Sequence, residues 1–205
     1  MSRLGPQSSF PKATTALAVT ARRLATRPET RELAAPLNEA LAALVAKDAA
    51  WREVQLDRMA TTGEVGFLDE ELDAAFMALV RAVMVQVGGR RDDAVYRGLF
   101  AEAPSATVRP VASDAQARAV RRVIATLRSG EVYAALASHA DTLGARLDAL
   151  DAAVARRDAL LTAEAAAGHD RAVALEEARR VFNRVRPQLE LLLEGRSGLV
   201  ASFFA

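Results

Sequence analysis

Leu44-Val-Ala-Lys-Asp-Ala-Ala-Trp51 and Leu147-Asp-Ala-Leu-Asp-Ala-Ala-Val154 share a Leu, an Ala and the triplet Asp-Ala-Ala at one spacing. From these anchors residues 11–101 can be laid over 114–205 at an offset of 103, with one three-residue and one two-residue adjustment. Leu17, Ala21, Leu24 and Leu33 then meet Val120, Ile124, Leu127 and Leu136. Past the first adjustment Glu70-Glu71, Phe76 and Gly89-Arg90 meet Glu176-Glu177, Phe182 and Gly195-Arg196, and Phe100 meets Phe204. An Ala- and Leu-rich chain matches itself readily: over 44–60 six of seventeen positions are identical, four of them Ala. The duplication reading therefore rests on the agreement of apolar phase, Gly-Arg stop and Phe ending. A repeat sets the architecture before any local reading does.

Composition points the same way. Of 205 residues 51% are hydrophobic, 26% charged and 5% aromatic, a globular balance. Ala, Leu, Arg and Glu dominate and β-branched runs are almost absent, so the expectation is an all-α protein. Each copy reads as short–long–long: Thr14–Thr26, Glu32–Thr61 and Asp69–Val87, then Asp114–Arg128, Glu131–Ala166 and Arg171–Glu194. Leu33, Leu37, Leu41, Leu44 and Trp51 make one apolar stripe, and Leu136, Ala140, Leu143, Leu147, Leu150, Val154 and Leu161 make another. Thr62-Gly63 and Gly168-His169-Asp170 read as turns, Gly88-Gly89 as a stop, and Ser113, Asp69 and Asp170 as N-caps. Residues 102–112, with two prolines, read as a linker between repeat 1 (11–101) and repeat 2 (113–205). The expected product is an internally duplicated, pseudo-twofold antiparallel bundle forming one compact domain. Two separate three-helix bundles are the alternative.

The function classes narrow by chemistry. The net charge of +1 leaves no global field for nucleic acid or a membrane. Without cysteine there is no disulfide framework, thiolate metal site or thiol nucleophile. Only His139 and His169 exist, and neither follows a Glu three residues earlier, so no di-metal bundle motif and no metal or cofactor is expected. No Gly-rich phosphate loop or Gly-x-Ser-x-Gly elbow occurs, and no enzyme is expected. The acidic group Glu64, Asp69, Glu70, Glu71 and Asp73 reads as helix-start electrostatics. Asp48 and Asp151 match between copies and, if inward, would pair with arginines across the bundle. Met1-Ser-Arg-Leu-Gly-Pro lacks a signal-peptide apolar region, and a cytoplasmic location without membrane contact is expected.

Two local features offer candidate sites. Arg109, Arg118, Arg121, Arg122 and Arg128 crowd one stretch against the single acid Asp114, which would suit phosphates along an Arg-rich helix 114–128. No aromatic is interleaved for base stacking, so nucleic acid is the weaker reading. The apolar ending with Leu199, Val200, Phe203 and Phe204 would either dock on a partner or pack at home. The sequence thus points to a non-catalytic interaction, scaffold or assembly protein that engages a protein partner or itself. A nucleic-acid module and a small-ligand or metal-binding bundle are the alternatives.

Overall fold

The computed structural model describes residues 3–108 and 112–204. Helix accounts for 85% of it, and no strand occurs among the described residues. The order is α1 (Phe10–Ala25), a 3-10 turn (Pro28–Leu33), α2 (Ala34–Gln86), α3 (Ala94–Leu99), α4 (Pro104–Thr107), α5 (Asp114–Ser129), a second 3-10 turn (Glu131–Leu136), α6 (Ala137–Leu192) and α7 (Ser197–Ser202). None of the described helices is long and apolar enough to cross a membrane.

The short–long–long plan is corrected here. α2 runs 53 residues straight through Thr62-Gly63, and α6 runs 56 residues through Gly168-His169-Asp170. Neither stretch is a turn, and Asp69 and Asp170 are not N-caps. The glycines that stop helices stand elsewhere: Gly88, Gly89 and Gly195 have φ of 61°, 82° and 76°, whereas Gly63, Gly66 and Gly168 have no positive φ. A left-handed glycine is a common helix stop, and none of these interior glycines adopts that conformation. The apolar phase also survives the glycines, since Val65, Leu72, Phe76, Leu79 and Val83 are all buried at helical spacing.

The starts of the short helices follow the sequence more closely. Ser113 caps α5 by accepting the Gln116 backbone N–H at 3.2 Å. Pro11 lies in the first turn of α1, where a missing N–H is harmless.

The chain divides into two compact units: residues up to Leu56 together with those from Thr162 onward, and Asp57–Leu161. Each unit therefore draws on one end of α2 and one end of α6. In the first unit α1 buries Leu17, Ala21 and Leu24 with Leu37 and Leu44 of α2, Phe182, Val185 and Leu189 of α6, and Phe204. In the second, α5 buries Val120, Ile124 and Leu127 with Ala140 and Leu147 of α6, Phe76, Leu79 and Val83 of α2, and Phe100. Phe182 meets Phe204 edge-on at 5.7 Å, and Phe76 meets Phe100 edge-on at 5.8 Å.

Gly63→Ala separates a continuous α2 from a turn at this position. A Cβ there meets nothing within 4 Å, so the substitution should stabilise the protein by about 1 kcal/mol in denaturant melts. Loss of stability would restore the hairpin reading.

Candidate interaction surface

The second half of α2 carries apolar side chains on two opposite sides. With 100° of turn per residue, it buries Val65, Leu72, Phe76, Leu79 and Val83 on one side. On the opposite side Phe67, Ala74, Ala78 and Val85 fall within about 20° of a single line. Phe67 is 60% exposed and Val85 83% exposed, while Ala74 is exposed and Ala78 half-buried. Single exposed apolar residues need no explanation; these four fall on one line over five turns of the helix. Glu70 and Arg81 flank one edge, both exposed, and neither forms an ion pair among the described residues. On the other edge Glu71 is held by Arg146 of α6. Sequence pattern alone did not single out this seam, because it shares a helix with the core stripe that dominates the periodicity.

The apolar chain end, by contrast, is not offered to solvent. Val200, Phe203 and Phe204 are buried and Leu199 is half-buried, all packed with the first unit's core. Thr20 Oγ1 donates to the Phe203 carbonyl at 3.3 Å, and Arg23 donates to that of Ser202 at 3.1 Å. Of the two fates read for this segment, the structure shows packing at home.

The arginine stripe is partly spent on neighbours. Arg118, Arg121, Arg122 and Arg128 are all exposed on α5, while Arg109 lies outside the described residues. Arg121 pairs with Asp151, and Arg128 with Asp141 at 3.0 Å, both acids belonging to α6. These two arginines edge an open groove of about 590 Å³ floored by Ile124, Ala125, Gly144 and Leu147. Of these four arginines, Arg118 and Arg122 are without a carboxylate partner among the described residues.

The matched aspartates diverge. Asp48 is 5% exposed and is held by Arg52 at 2.7 Å and by Arg171, whose guanidinium lies 4.5 Å from the Trp51 ring centre and 5.0 Å from that of Phe10. Trp51 therefore serves a cation–π stack on a half-buried flank rather than the middle of the apolar stripe. Asp151 is exposed with its Arg121. His139 is half-buried on α6, and His169 is exposed within the same helix instead of in a turn. Among the described residues no three or more of His, Asp and Glu are grouped to hold a metal ion.

The acidic group is also reassigned, since no helix starts there for its charges to favour. Asp69 and Asp73 sit in mid-helix and fasten the entry of α5. Asp69 Oδ1 accepts the Ala112 N–H at 2.8 Å, and Ala112 carries a φ of 43°, an unfavourable setting for a residue with a Cβ. Asp73 Oδ1 accepts from Gln116 Nε2 at 2.9 Å. Gln116 is 2% exposed, and its Oε1 has no hydrogen-bond partner among the described residues. Glu64 and Glu71 pair outward with Arg156 and Arg146. Burial pushes the Asp73 carboxyl up to about 6; the Asp69 charge adds to the rise, and the Gln116 hydrogen bond opposes it.

Comparison of the chain with protein-family models, with characterised proteins and with solved structures finds no match.

Two measurements check these assignments. Because Asp73 titrates at about 6 in the folded chain and near 3.8 when unfolded, the folded state binds the extra proton between those values. Its stabilising effect is present below pH 4 and is lost as pH rises through 6. Asp73→Asn should therefore flatten the fall in melting temperature between pH 5 and pH 7 relative to wild type; an unchanged slope refutes the assignment. Phe204→Ala should lower stability by about 3–5 kcal/mol in denaturant melts, as for a buried aromatic. A loss under about 0.5 kcal/mol, the size of ordinary surface changes, would mean the chain end is not held in the core.

Proposed function

We propose that this protein acts by presenting a surface to another protein chain, as a non-catalytic interaction or assembly module. The observation that carries the reading is the seam Phe67–Ala74–Ala78–Val85, an apolar line opposite the buried face of α2. Exposing large apolar side chains is unfavourable in water, and a well-packed helix gains nothing from it unless something covers them. The uncommitted Glu70 and Arg81 beside the seam supply polar contacts of the kind that rim protein interfaces.

The duplication belongs to the same proposal. The edge-on pairs Phe76–Phe100 and Phe182–Phe204 match under the sequence offset, as do the positive-φ stops Gly89 and Gly195. These correspondences support descent of both halves from one helical ancestor. The interaction surface then arose in one half, because Ala74 and Ala78 correspond to Arg180 and Arg184 in the other.

A tagged chain and its Phe67→Glu, Val85→Glu double variant, both cross-linked in the cells that produce the protein, provide the test. The wild type should recover a defined protein, its own untagged chain or another, which the variant fails to recover while melting at the same temperature. Equal recovery by both would sink the reading.

A further inference from the structure

We infer that the α2 seam recognises a second copy of this chain, docked antiparallel about a twofold axis level with residue 76. This rests on the reading that the chain acts by presenting surfaces, and names the partner. In an antiparallel helix pair, positions equidistant from the axis stand level with each other. About residue 76 the seam is its own complement: Phe67 meets Val85 of the second copy, and Ala74 meets its Ala78. Twofold association requires this property, because one patch must match itself.

Sterics agree with the register. The two alanines nearest the axis let the helix backbones approach closely, and interaxial distance is set by the side chains at the contact. The bulky residues lie at both ends, where each phenylalanine covers a valine rather than a second ring. The seam from 67 to 85 rises about 27 Å, room for both sets of contacts.

Charge agrees as well. Glu70 and Arg81 lie on the same flank of the helix, about 60° and 40° from the seam line. The twofold operation keeps them on one side, so Glu70 of one copy stands within one residue of level with Arg81 of the other, twice over. Both are exposed and without an ion-pair partner among the described residues. A parallel twofold would carry the second copy's Glu70 and Arg81 to the opposite flank and leave this pairing unmade.

The corresponding face of α6 argues that this complementarity is particular to α2. There Val173 and Leu191 are also exposed, at 54% and 83%, but Arg180, Arg184 and Pro187 stand between them. A second copy laid on that face would meet like charges.

The full chain, purified and followed by sedimentation over a range of concentrations, tests the inference. Wild type should dimerise reversibly. Glu70→Arg and Arg81→Glu should each weaken the dimer by about tenfold or more, and the Glu70→Arg, Arg81→Glu double variant should recover most of the loss. Phe67→Glu should yield a monomer. All four variants change exposed positions, and circular dichroism melts confirm that each is folded. The chain has no cysteine, so orientation can be read directly. A mixture of Phe67→Cys and Val85→Cys chains should oxidise to a mixed disulfide dimer, while Phe67→Cys alone should not.

A wild type that stays monomeric, a dimer indifferent to Phe67→Glu, a double variant without rescue, or a Phe67→Cys homodimer would each overturn it. A monomer that nevertheless recovers another protein through Phe67 and Val85 would end self-recognition and leave the broader function standing.

Discussion

A glycine inside an α-helix is less favourable than alanine by roughly 1 kcal/mol, yet Gly63, Gly66 and Gly168 all stand inside unbroken helices. What holds the backbone helical across them is the apolar phase on either side. Val65 is buried two residues past Gly63, and Leu72, Phe76, Leu79 and Val83 follow on the same face. Breaking the helix at Gly63 would leave four N–H and four C=O groups without intrahelical partners, and the nearby Thr62 hydroxyl is already bonded to the Arg58 carbonyl within the helix. One weak residue inside a ladder is the smaller penalty. The long helices, and every surface they carry, depend on that balance.

A helix of such length has more sides than one core can cover. In the second half of α2 the buried face and the exposed seam lie on opposite sides, so a substitution on one is felt little by the other. Phe67 and Val85 are thereby free to serve contact, while Phe76 and Leu79 hold the unit together. In α6 the matching outer face carries Arg180 and Arg184, which suit water. The outer faces of α2 and α6 thus differ in chemistry, one apolar and one basic.

The all-α class, the course of α1 and α5, the Ser113 cap and most of the core residues were legible in the sequence, because each follows from local propensity and period. Helix continuity was not. Thr62-Gly63 and Gly168-His169-Asp170 have turn-forming residues, and a reading from composition has no access to the absent left-handed φ that settles the matter. The misplaced turns carried the acidic group with them: Asp69 and Asp73, taken for charges at a helix start, are side-on fasteners for another segment. Asp48 and Asp151 match in sequence yet differ in burial, since Trp51 and Arg171 enclose the first and nothing equivalent encloses the second. The seam went unread for the reverse reason. Its four members are ordinary apolar residues, and nothing in composition or period tells which side of a long helix the core leaves open.

The entries of the two short helices are fastened by different chemistry. The segment before α5 is fastened by acids, with Asp69 taking the Ala112 N–H and Asp73 taking Gln116. The segment before α1 is fastened by donors as well as acceptors. Asn183 both accepts from the Leu4 N–H and donates to its carbonyl at 2.9 Å, and Arg179 donates to the Ser8 carbonyl. Under the sequence offset Asp73 and Arg179 are the same position. Asp73 grips the side-chain amide of Gln116 and Arg179 the backbone carbonyl of Ser8, so an acid and a base at these positions each fasten a helix entry through a different group. The two clasps then differ in their response to pH. An arginine keeps its charge throughout the accessible range, whereas an aspartate raised to about 6 does not. Mild changes of pH therefore act on the unit that also carries the exposed seam, and leave the clasp of the other unchanged.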